Sequence, residues 1–72
     1  MIIKYAVVIE KADKNYSTYV PDLPGCITTG RTIEKVEIEI RNTIELHLEG
    51  MKQEGQTIPL PSSVVEYVKV AA

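Results

Sequence analysis

Phenylalanine and tryptophan are absent, cysteine and histidine occur once each, and leucine only four times. The single Cys26 excludes an internal disulfide, and Cys26 with His47 falls short of the four Cys/His ligands of a closed structural zinc site. No apolar run approaches the roughly 20 residues of a membrane-spanning helix. The eight Lys and Arg are scattered through a chain of net charge −2, so no basic patch awaits a phosphate backbone. The opening Ile2-Ile3-Lys4 runs directly into a strand-like pattern, without the basic start and cleavage site of a secretory leader. With the lone thiol, this gives the expectation of a cytoplasmic protein.

What is present is a short chain rich in β-branched residues. Ile and Val number 17 of 72 residues, a composition that favours sheet. A chain this short forms one domain and buries only about 60% of the surface it exposes when unfolded. Disulfides, a metal or oligomerisation usually supplement so thin a core. The first two lack their residues, so association with other chains is expected.

Residues 2–11 place Ile3, Tyr5, Val7 and Ile9 on one face at period two, the pattern of a strand. Asp13-Lys14-Asn15 supplies a turn, with Asn15 suited to a positive φ, and Tyr16–Val20 completes a hairpin. Pro21 and Pro24 end the second strand. Pro24-Gly25 fits the centre of a type II turn, and Cys26–Thr29 reads as a third strand. Thr32 is a candidate N-cap for a helix over 32–54, with Ile33, Val36, Ile40, Ile44, Leu48 and Met51 as its apolar stripe. Gly55 suits the residue past its end, and Gly50 is a point where it could stop or bend. After the Pro-rich segment 57–63, Val64–Val70 reads as a fourth strand, apolar on both faces through Val64, Val68 and Val70 on one and Val65 and Tyr67 on the other. The expected fold is α+β: a single β-β-β-α-β domain over 1–72, one helix on an antiparallel or mixed sheet.

At Tyr19-Val20-Pro21-Asp22-Leu23-Pro24-Gly25-Cys26 the sequence resembles the HicB family of antitoxins. The similarity extends upstream through Tyr5–Lys11 and Tyr16-Ser17. Downstream it includes Gly30–Glu34, Ile44–Gly50, and Ile58-Pro59 with Pro61-Ser62-Ser63. The resemblance implies a trimmed ribonuclease H-like fold and a role in a type II toxin–antitoxin system. There the domain neutralises a small basic mRNA-cleaving toxin (HicA-type) by binding it. It also implies a separate C-terminal DNA-binding domain in complete members. The chain stops at Ala72, where that domain would begin, so no direct DNA binding is expected; the lack of a long apolar run gives the expectation of no membrane contact. Val36 departs from the small residue common there.

Ribonuclease H chemistry needs several carboxylates converging on Mg²⁺. Glu10 and Glu66 lie on strands, yet no Asp occupies a strand interior, so a non-enzymatic protein without cofactors or metal is expected. His47 reads as a partly buried helix residue lacking a nucleophile to serve. Cys26 reads as a small buried hydrophobe. Asp22 admits two readings, a turn-fixing side chain or an exposed acid facing a basic partner. The resemblance makes Tyr19, Asp22, Leu23, Pro24 and Gly25 the candidate partner-binding residues. The helix carries six acids against three bases, a solvated face or a surface for a basic partner. Ile38 and Leu46 lie off the apolar stripe. With Val65 and Tyr67 they are candidate contacts of a homodimer or tetramer. The competing reading is an orphan oligomeric binding domain serving another partner or ligand, with no toxin.

Overall fold

The computed structural model describes residues 2–72. Three short strands, β1 (Val8–Lys11), β2 (Tyr16–Tyr19) and β3 (Ile27–Gly30), precede one helix, α1 (Ile33–Gln53). The strands form an antiparallel meander in the order β1-β2-β3. Val8 pairs with Tyr19 and Lys11 with Tyr16; Tyr16 pairs with Gly30 and Tyr19 with Ile27. The architecture is α+β, as expected.

Cross-strand partners share a face, and the register therefore sorts the side chains. Ile9, Thr18 and Thr28 lie on the side of α1, and the core continues from them through Val20, Leu23, Cys26 and Ile40. Tyr5, Val7, Ile44 and Leu48 pack around that cluster. Val8, Tyr19 and Ile27 occupy the opposite face, where Tyr19 and Ile27 are exposed.

The helix ends follow capping chemistry. Thr32 Oγ1 accepts from the Lys35 N–H at 3.1 Å. At the other end Gly55 takes φ +71°, the Gly55 N–H donates to the Lys52 carbonyl and the Gln56 N–H to the Met51 carbonyl. That is the Schellman arrangement, and it needs a residue tolerant of positive φ at Gly55. The helix runs through Gly50 without ending there.

Gly30 has a different reason to be glycine. A Cβ there would lie 2.9 Å from Val36 Cγ2 and 3.4 Å from the Val36 nitrogen. The wholly buried Val36 fits because Gly30 leaves it the room.

Three sequence expectations are corrected. The fourth strand over Val64–Val70 does not form: residues 60–72 are exposed and carry no regular secondary structure. The first strand begins at Val8, because pairing Val8 with Tyr19 would set any earlier residue against Val20 and Pro21, where the chain turns away. The hairpin turn also differs. No non-glycine residue among those described has a positive φ, and the Ala12 N–H donates to the Asn15 carbonyl at 2.8 Å.

Candidate functional site

The segment singled out by sequence, 19–26, is a loop built from two consecutive turns. The Leu23 N–H donates to the Val20 carbonyl and the Cys26 N–H to the Leu23 carbonyl, each at 3.1 Å. The Val20 N–H closes the loop onto the Cys26 carbonyl at 3.2 Å. Gly25 takes φ +84° after Pro24, as a type II turn requires. These bonds leave the loop little freedom, and its side chains divide sharply. Val20, Leu23 and Cys26 point into the core, with Leu23 only 1% exposed. Pro21, Pro24 and Gly25 face solvent, as does Tyr19 beside them.

Asp22 is half-buried and holds the segment after the helix. Its Oδ2 accepts from the backbone N–H groups of Ser62 and Ser63 at 3.1 and 3.2 Å. Its Oδ1 accepts from both serine hydroxyls at 3.0 and 2.9 Å. The Ser63 backbone bond, with the bonds from Ser62 and the hydroxyls, holds this carboxyl below the usual carboxylate range against the opposing effect of burial. The neighbouring Tyr5 hydroxyl donates to the Pro59 carbonyl at 2.5 Å. Burial, then the Asp22 charge, raise the pKa of that phenol, so it stays protonated and able to donate. Together Asp22 and Tyr5 form a clamp that fixes residues 59–63 against the loop. Ser62 and Ser63 entered the sequence reading only as part of a Pro-rich return. Their pairing with an acid 40 residues away leaves no periodic trace.

Cys26 is buried, and burial raises its thiol above the ordinary range, so the nucleophilic thiolate is disfavoured. His47 is half-buried in a shallow depression with Leu46, Gly50, Met51, Glu54 and Gln56. Among the described residues, no three His, Cys, Asp or Glu side chains converge closely enough to hold a metal ion. Among these residues, no helix is long and apolar enough to cross a membrane. Ile38, Leu46, Val65 and Tyr67 are all exposed, Tyr67 at 96%. Glu34, Glu37, Glu39, Glu45 and Glu49 of α1, and Glu54 at its C-cap, are exposed as well.

Residues 5–71 match the model of the HicB-like antitoxin of bacterial toxin–antitoxin systems. A UPF0150 protein of Thermoplasma acidophilum is 40% identical over 58 residues, covering 79% of this chain and 84% of that protein. A UPF0150 protein of Synechocystis is 33% identical over 70 residues, covering 96% of this chain and 89% of its own length. A 14.9 kDa protein from the rep-hol intergenic region of Haemophilus phage HP1 is 31% identical over 64 residues. The alignment takes in 89% of this chain but only 48% of the phage protein, so the chain spans about half that relative's length. A match over nearly the whole domain, loop and clamp included, places the chain in the HicB-like antitoxin family.

Proposed function

We propose that this protein acts as the antitoxin half of a type II toxin–antitoxin pair, binding a small basic mRNA-cleaving toxin of the HicA type and blocking it by occlusion. The family match over residues 5–71 carries this reading. It acts in the cytoplasm as a homodimer or tetramer, catalyses nothing itself and makes no direct contact with DNA. Two features of the surface support the toxin assignment. The acids of α1 outnumber its bases and all face solvent, which suits a basic partner and speeds encounter. The 19–26 loop offers Tyr19, Pro24 and Gly25 on a backbone held rigid by its own turns, so little ordering cost is added on binding. Within that loop Leu23 and Asp22 set the shape through the core and the clamp.

The test is co-purification and inhibition. The tagged chain is expressed in its native cell, and the small basic protein it retains is assayed for RNA cleavage with and without the antitoxin. Stoichiometric suppression of cleavage is expected. Glu37→Lys with Glu45→Lys should slow association by roughly tenfold or more at low salt while leaving the helix intact. Recovery of no basic RNA-cleaving partner would overturn the proposal.

A further inference from the structure

Two segments of the chain are strand-like in sequence yet lack a strand partner. Residues 2–7 alternate as a strand should, but the β1–β2 ladder stops at Val8. Residues 64–70 are strand-like as well and stand free of the body: Val64, Val65, Tyr67, Val68 and Val70 are all exposed. Apart from the helix and the ladders, the backbone–backbone hydrogen bonds among the described residues involve only residues 12–56. The outward course of the second segment shows in the overall shape. The molecule is 48 Å long with a radius of gyration of 13.9 Å, against about 11 Å for a folded chain of this size. The clamp of Asp22 on Ser62 and Ser63 fixes the point from which this arm departs.

We propose that the arm, residues 64–70, docks as a strand along residues 2–7 of a second copy of this chain, and that the second copy returns its own arm, giving a two-fold strand-exchanged dimer. This deepens the oligomer reading above and does not depend on the toxin. Three observations favour a second copy as the occupant. The lengths agree, at about 20 Å for the six-residue edge and about 23 Å for the seven-residue arm. The patterns agree too. Ile2-Ile3-Lys4-Tyr5-Ala6 and Val64-Val65-Glu66-Tyr67-Val68 have the same order of apolar, charged and aromatic residues. With the strands antiparallel, setting Lys4 opposite Glu66 matches opposite charges and places Ile2, Ile3, Tyr5 and Ala6 opposite Val68, Tyr67, Val65 and Val64. Finally, one two-fold operation satisfies both unpaired segments in both copies, as an isologous interface requires.

The test uses the full-length chain. Sedimentation equilibrium across micromolar concentrations measures the assembly, and hydrogen exchange locates its ladder. A dimer is expected, with amides in both 2–7 and 64–70 protected. Val65→Asp combined with Val68→Asp places a charge on each face of the arm. It should yield a monomer that keeps its helical circular dichroism and loses protection in both segments. Lys4→Glu or Glu66→Lys alone should weaken the dimer by roughly tenfold, since the pair occurs twice, and the two together should restore it to within about threefold. A wild-type monomer overturns the proposal, whether or not the two segments are protected. A dimer that survives the arm variant overturns it as well, as does a dimer whose residues 2–7 exchange freely.

Discussion

Val20 and Val36 are at most 2% exposed, whereas Val64, Val68 and Val70 are 78–80% exposed. The residue type is the same and the environments are opposite. In the body, the core side chains meet other elements of their own chain: α1 against the sheet, the 19–26 loop against α1. Beyond the Asp22 clamp, the arm has equally apolar residues and no surface of its own chain to cover them. Burial of a valine stabilises by about 1.5–3 kcal/mol wherever the covering surface comes from. The body is thus stabilised at any concentration, while the arm contributes only when another molecule covers it. Substitutions in the two regions should separate on that criterion.

The largest effect is expected at Leu23, which fills the junction of loop and helix. Leu23→Ala removes a buried branched side chain, and denaturant melts should show a loss of about 2–5 kcal/mol. The loss should not depend on protein concentration, unlike that of any arm variant. Next is Gly30, whose missing Cβ makes room for Val36. Gly30→Ala should destabilise by about 1–3 kcal/mol through overpacking. Shortening the neighbour with Val36→Ala should cost less in the Gly30→Ala background than alone, giving a coupling of about 0.5 kcal/mol or more in a double-mutant cycle. Independent, additive losses would show that the close approach seen here is not what requires glycine at this position.

The same contrast explains what was legible in the sequence. The helix could be read almost to the residue, because Thr32, the three-and-four spacing from Val36 to Met51 and Gly55 are local signals, each within one or two turns of what it controls. The Pro24-Gly25 turn was legible for the same reason. The meander was legible as well, since period-two alternation in Tyr5–Ile9 and the turn residues at 13–15 lie next to what they organise. Residues 64–70 show the limit of this reasoning. Alternation reports that a segment suits a strand, but a strand also needs a ladder partner, and pattern alone does not say whether one lies within the chain. The shortened β1 has the same origin, because Pro21 turns its partner strand away. At the candidate site, the resemblance pointed to Asp22 but left two roles open. The bonds to Ser62 and Ser63 give it the fastening role through a contact that spans the sequence and has no periodicity.

A smaller effect, of opposite sign, is expected at Thr18. This side chain is wholly buried, and its hydroxyl has no hydrogen-bond partner among the described residues. An unsatisfied buried hydroxyl costs about 1–3 kcal/mol relative to a paired one. Thr18→Val keeps the branched shape and suits the strand, so a gain in stability of about 1 kcal/mol is expected in thermal or denaturant melts. A loss would mean that the hydroxyl finds a partner, such as an ordered water, in solution.

The last prediction acts at the boundary between the two regions and leaves the body's core untouched. The Asp22 carboxyl is held below its ordinary range by its bonds to Ser63 and Ser62. An acid whose pKa is lower when folded than when unfolded contributes stability that is fully present above the unfolded value, about 3.9, and is lost as the pH falls through the folded value. Acidification below about pH 4 should therefore release residues 59–63 before it unfolds the sheet and helix. Neutral and mildly alkaline conditions should leave the clamp closed, since the raised pKa of Tyr5 preserves its donor there. Hydrogen exchange at Ser62 and Ser63 reads this directly: faster exchange at low pH than the intrinsic rates explain, with the amides of α1 still protected. Asp22→Asn should loosen the same two amides at neutral pH and remove the acid dependence. If both segments instead lost protection together in the Asn variant, the clamp would belong to the body's cooperative unit, and the arm would begin closer to Val64 in energy as well as in space.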